Sequence, residues 1–146
     1  MNAPDAPVRS KREIDIAAAP EAVWDVLTDF DQWPQWNPQV KSMAFDGALA
    51  PGSEFRWKAG PGTIVSTLER VEPPRAISWL GRTMSIRAIH HWRFEPRNGG
   101  TRVETEETYS GLLARLLRRQ LQKVLDDSLR EGLEHLKREA ERRSAA

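Results

Sequence analysis

The chain has 146 residues with 22 Lys and Arg against 21 Asp and Glu, a net charge of +1, and no cysteine. That length suits one domain with a sizeable core, and the balanced charge gives no reason to expect a polyanionic partner such as nucleic acid. The missing cysteines exclude disulfides, thiolate metal sites and Cys nucleophiles, and no apolar run of about 18 residues is present to span a membrane.

Residues 1–7 contain Pro4 and Pro7 without an apolar stretch, so they read as a flexible arm rather than a secretory leader. A single domain follows over residues 8–146. No leader and no cysteine together fit a cytoplasmic location. Ile14 and Ile16 alternate with Glu13 and Asp15, which predicts a strand. Pro20 suits a first helical turn, and Val23, Trp24 and Leu27 share a face at helical spacing, so residues 20–29 read as a short helix. Next comes Phe30-Asp31-Gln32-Trp33-Pro34-Gln35-Trp36-Asn37-Pro38. Its prolines oppose a continuing helix, and its large rings must pack on something or be left as an exposed apolar patch. A short, bent connection either seals a core or walls a cavity here.

Beyond Pro38 the turn signals recur at regular spacing: Asp46-Gly47, Pro51-Gly52, Gly60-Pro61-Gly62, Pro73-Pro74, Gly81-Arg82 and Asn98-Gly99-Gly100. The runs between them have strand length and predict an antiparallel meander. With the first strand, about seven strands result. Period-2 alternation turns Phe55 and Trp57 inward, with Ile77 and Trp79, then Met84, Ile86, Ala88, His90, Trp92 and Phe94, then Val103, Thr105, Glu107 and Tyr109. Ile64, Ser66 and Leu68 are taken as the inward set of the strand before Val71. After Gly111 the period becomes helical. A long helix over residues 112–140 carries the stripe Leu113, Leu117, Leu121, Val124, Ser128 beside Leu125, Leu129, Leu133, Leu136. Gly132 interrupts it, either for close approach to the sheet or because it is tolerated.

This order resembles the helix-grip fold of the START-related SRPBCC superfamily, and within it the bacterial polyketide cyclase/dehydrase and lipid-transport branch. The carriers are Ile14-x-Ile16-x-Ala18-x-Pro20-Glu21-x-Val23-Trp24 and Leu27-Thr28-Asp29-Phe30-x-x-Trp33-Pro34-x-Trp36-Asn37-Pro38. They continue with Glu72-Pro73-Pro74-Arg75-x-Ile77-x-Trp79, Trp92-Arg93-Phe94-Glu95, and Gly100-Thr101-Arg102-Val103 followed by Glu106-Glu107-x-Tyr109-x-Gly111-Leu112-Leu113. The resemblance implies an α+β architecture: a curved seven-stranded antiparallel sheet around a long C-terminal helix, with two short helices between strands 1 and 2. It also implies an internal cavity for a small hydrophobic or aromatic molecule. The expected lining is Phe55, Trp57, Trp79, His90, Trp92, Glu107, Tyr109, Leu113, Leu117 and Leu121, with Phe30 and Trp36 at the mouth. A mostly apolar lining with a few polar groups is the composition of a ligand pocket, and equally of a solid core with its polar groups satisfied near the ends.

The residues for chemistry are sparse. His90 and His91 are adjacent on a strand and point to opposite faces, and no acidic or histidine cluster has ligand spacing, so neither metal nor cofactor is expected. Glu107 is the one acid that parity turns inward. It is either a general base with a raised pKa, with His90 and Tyr109 as further acid/base candidates, or the partner of an arginine such as Arg56 or Arg70. Binding or carriage of a lipid- or polyketide-like molecule is the leading function. The alternatives are a cyclase/dehydrase, and a membrane-lipid or quinone chaperone using the basic start of the long helix at Arg115, Arg118, Arg119 and Lys123.

Overall fold

The computed structural model of the chain describes residues 5–145, so most of the expected arm, residues 1–4, lies outside the described residues. Seven strands form one antiparallel sheet: β1 (Val8–Ile16), β2 (Ser42–Phe45), β3 (Glu54–Ala59), β4 (Gly62–Glu72), β5 (Ala76–Thr83), β6 (Ile86–Arg97) and β7 (Gly100–Ser110). Their order is β1-β7-β6-β5-β4-β3-β2, a meander whose last strand returns to pair with the first. Two short helices, α1 (Pro20–Thr28) and α2 (Trp33–Trp36), separate β1 from β2, and the C-terminal part forms α3 (Leu112–Leu116) and α4 (Arg118–Ala145).

Helix α1 begins with Pro20 in its first turn, where no N–H partner is needed, and Glu21 there complements the positive helix end. It buries Val23, Trp24, Val26 and Leu27. The bent aromatic segment is more helical than its prolines predict. Trp33 adopts helical dihedrals (φ −51°, ψ −43°) although a proline follows it. Its indole N–H donates to the Leu27 carbonyl at 2.8 Å, and its ring packs on Phe30 at 5.1 Å, which outweighs the local pre-proline preference. Asn37, before Pro38, is extended as expected (φ −118°, ψ 102°).

The inward parities hold for β3, β4, β6 and β7, with two corrections at one turn. Gly81 lies inside β5 rather than at a turn, and the turn instead falls at Met84, which has φ +51° and is 65% exposed instead of facing inward. β5 therefore runs further than the glycine suggested, because Gly81 pairs with both Ser66 and Ala88.

The C-terminal helix is long but not continuous from residue 112. Leu117 (φ −109°, ψ 34°) breaks it. The two parts have different anchors. α3 is held by the β5–β6 turn, where Ser85 Oγ accepts from the Leu113 N–H at 3.2 Å. A Cβ on Gly111 (φ +104°) would collide with the Ser85 carbonyl, so only glycine permits this approach. α4 instead lies along β1 and against α1. Its buried stripe is Leu125, Leu129, Leu133, Leu136 and Ala140, while Leu117 and Val124 are exposed. On its outer face Glu139 pairs with Arg143 at 2.7 Å, and Arg130 with Asp127 at 3.5 Å and Glu134 at 3.7 Å.

Gly132 does not serve a close approach: a Cβ built there meets nothing within 4 Å. Gly132→Ala should therefore raise the unfolding free energy by about 0.5–1 kcal/mol, the helix-propensity difference. Urea denaturation checks this. A loss of stability would show that the space is filled in solution.

Candidate functional site

The strand register lays the inward side chains in transverse rows. One row runs Ser10, Glu107, His90, Trp79, Leu68 across β1, β7, β6, β5 and β4, each residue directly opposite the next. The adjacent row runs Val8, Tyr109, Ala88, Gly81, Ser66, Phe55. Its centre, Ala88-Gly81-Ser66, holds three of the smallest side chains on three neighbouring strands. A Cβ on Gly81 would meet Ser66 Oγ at 3.2 Å and Ile64 Cγ2 at 3.3 Å, so the glycine lets these neighbours close over β5.

The apolar core is divided into two clusters. The larger is aromatic. Phe30, only 1% exposed, stacks on Phe55 at 4.5 Å and meets Trp33, Phe45 and Trp79 between 5.1 and 5.8 Å. The smaller cluster joins Val8, Leu125 and Leu129 with Tyr109 and Leu121. His90 lies against the larger cluster through Trp79 and Trp92, and Glu107 and Ser10 follow it across β7 and β1. Trp36, Ile64, Ala88, Glu107, Tyr109, Leu113 and Leu121 are only partly buried, and Leu117 is exposed. Inward-facing residues in mid-sheet keep such exposure where helix and sheet are not in full contact, and α4 leaves the central strands to rest on β1 and α1.

The polar groups at this seam form a connected chain. His90 is held between rings, 5.2 Å from Trp79 and 4.9 Å from Trp92. The Thr105 hydroxyl donates to the His91 carbonyl at 3.1 Å, so it accepts from His90 Nε2 at 2.7 Å. That leaves Nδ1 as the lone-pair nitrogen, and it faces Glu107 Oε1 at 3.5 Å. Burial lowers the His90 pKa to about 3 and raises that of Glu107 to about 8. Both groups are neutral at pH 7, the Glu107 carboxyl carrying its own proton. Burial, with Glu107 adding to it, also pushes Tyr109 up, so its phenol stays protonated.

An arginine partner for Glu107 is therefore overturned. Arg70 is engaged with Glu72 at 2.6 Å, and Arg56 lies exposed on the opposite face of β3. Among the described residues, Trp36 and Trp92 bury indole N–H groups that find no acceptor, whereas Trp57 donates to Ser66 Oγ at 3.1 Å.

The structure brings His90 within 3.5 Å of Glu107 and packs Tyr109 and Leu121 in the smaller cluster, whereas Trp57 contacts Ser66 and Trp33, Leu113 is tied to Ser85, and Leu117 is exposed. It places Phe55 and Trp79 in the ring cluster. Trp92 stands beside His90. Phe30 sits at the centre of the rings and not at an opening, while Trp36 stays partly open at the edge. Parity did not single out Ser10 or Gly81. Their signal lies in cross-strand register, which a single sequence does not reveal. Two surface depressions lie elsewhere. One of about 240 Å³ is on the outer sheet face near Arg70 and His91, and one of about 740 Å³ lies between β1 and the start of α4.

Three solved structures share the architecture. A hypothetical protein from Helicobacter pylori superposes with a TM-score of 0.83 at 16% identity, covering 96% of this chain and 97% of that one. The Zhui aromatase/cyclase from Streptomyces sp. R1128 gives 0.82 at 17%, covering 93% and 94%. A START superfamily protein from Mycobacterium smegmatis gives 0.77 at 16%, covering 92% and 97%. At such identities these likenesses establish the fold alone. No curated protein matches the chain. The model of the family described as polyketide cyclase/dehydrase and lipid transport matches residues 7–141, nearly the whole chain, and the protein belongs to that family.

Proposed function

We propose that this protein binds and carries a small, uncharged, apolar or aromatic molecule between the concave sheet face and α4. The observation that carries this reading is the row of small residues Ala88, Gly81 and Ser66 on the inward sheet face, beside the inward side chains of Ile64, Glu107, Tyr109 and Leu121, which stay only partly buried. Every titratable group at the seam is held in its uncharged form, which suits a neutral ligand. The polar groups include two donors, the Tyr109 phenol and the buried Trp92 indole N–H, which finds no acceptor among the described residues, while the Glu107 carboxyl faces His90 Nδ1. Such a lining favours a ligand that carries acceptor oxygens. Family membership supports a ligand of the lipid or polyketide kind, and the absence of cysteine supports a cytoplasmic setting.

A second reading, a cyclase or dehydrase, is favoured by one specific observation. Glu107, protonated at neutral pH and linked through His90 to Thr105, is equipped to act as a general acid toward a carbonyl or departing hydroxyl. The fold is shared with a protein named an aromatase/cyclase.

Native mass spectrometry of freshly purified protein should reveal a co-purified apolar molecule. The neutral fluorophore Nile red should bind the native state, and Trp57→Ala should weaken it roughly tenfold, the worth of one aromatic contact. If no molecule co-purifies and Nile red does not bind, the carrier reading fails.

A further inference from the structure

We propose that the α3 end of the molecule docks onto an anionic lipid bilayer. This inference goes beyond ligand binding, and of its residues only Leu117 is shared with the expected ligand lining. All five exposed large hydrophobic side chains among the described residues lie on α3, at its junction with α4, on the second turn of α4 and on the β5–β6 turn: Leu112, Leu116, Leu117, Val124 and Met84. Leu112 and Leu116, one helical turn apart, are 65% and 70% exposed. The Ser85 bond to Leu113 brings Met84 beside them. The break at Leu117 has a consequence here: it frees α3 from the line of α4, so its leucines stand clear of the core.

Charge gathers at the same end. Arg115, Arg118, Arg119 and Lys123 interleave with these leucines, and Arg82 and Arg87 pair across the β5–β6 hairpin. No Asp or Glu occurs in residues 76–94 or 108–125. In a chain of net charge +1, that is a strong local excess of cations. Arg118 donates to the Pro7 carbonyl and Lys123 pairs with Asp127, while Arg115 and Arg119 are exposed. The open depression of about 740 Å³ beside this patch adds Arg12 to Arg118, Arg119 and Lys123, and Asp126 and Asp127 also line it.

Apolar side chains surrounded by cations suit the headgroup and acyl boundary of an anionic membrane, where burial and charge act together. A second copy fits poorly, because two-fold pairing would set the same cations against each other. Single-stranded nucleic acid fits poorly too, since the projecting side chains are leucines rather than stacking rings.

The test is co-sedimentation of the full chain with phosphatidylcholine vesicles, with and without phosphatidylserine, at low and high salt. Phosphatidylserine vesicles should bind the protein, and binding should fall roughly tenfold or more on phosphatidylcholine alone or at high salt. Leu112→Ser/Leu116→Ser and Arg115→Glu/Arg119→Glu should each weaken it roughly tenfold or more. These side chains are exposed, so thermal melts and Nile red binding should stay unchanged, which separates this proposal from the carrier reading. Absence of wild-type binding, or binding indifferent to the leucine pair, would overturn it. So would a concentration-dependent dimer, seen by sedimentation and abolished by Leu116→Ser, which would assign the patch to a second copy.

Discussion

Glu107→Gln should raise the unfolding free energy by about 2–3 kcal/mol at pH 7, and the melting temperature by roughly 6–10 °C. The folded carboxyl titrates at about 8 against an ordinary value of 4.5, because burial disfavours its charge. Below pH 4.5 both states are protonated, and the group costs nothing. As pH rises the unfolded chain releases the proton while the folded one retains it, so stability falls until about pH 8. His90, lowered from 6.5 to about 3, works in the other direction: its contribution is complete above 6.5 and is lost as pH falls toward 3. Glutamine mimics the protonated acid and still donates toward His90 Nδ1, but has nothing to ionise. The gain from Glu107→Gln should therefore be near zero at pH 4 and grow through neutrality, as urea denaturation at several pH values would show. No gain at pH 7 would mean that Glu107 is ionised and paired in the fold. Affinity for a neutral probe should change little. If the protein is a cyclase or dehydrase, the same substitution removes the acid and lowers turnover by roughly 10²-fold or more.

Phe30→Ala should cost about 3–5 kcal/mol, the range for deleting a fully buried aromatic ring. Phe30 is the centre of the aromatic cluster, in contact with four other rings from α2, β2, β3 and β5. The cavity left behind cannot close readily, because its walls are rigid indoles and sheet backbone. Trp79, which backs His90, would lose one of its supports. Phe30→Leu keeps most of the volume and should cost under about 1.5 kcal/mol. Urea midpoints for the two variants decide the matter. A loss below about 1 kcal/mol for the alanine variant would show that these rings do not interlock in solution.

The sequence by itself determined the strand count, the inward faces apart from Met84, and the helical C-terminal third. Those features are local: period-2 alternation in Phe55/Trp57 and His90/Trp92/Phe94, turn residues between runs, and leucines at helical spacing. It also determined that Glu107 faces inward. Partners are not local. Arg70 looked available to Glu107 until the register showed that Glu107 lies opposite His90, leaving Arg70 to Glu72 on its own strand. Only tertiary structure placed Gly81 mid-strand, opposite both Ser66 and Ala88. Likewise the break at Leu117 has no breaker residue to announce it. It arises because α3 is anchored to the Ser85 turn and α4 to β1, and one continuous helix does not satisfy both. Side-chain period reports which face a residue takes. What stands opposite depends on register and on how distant segments meet, and those are set when the whole core closes.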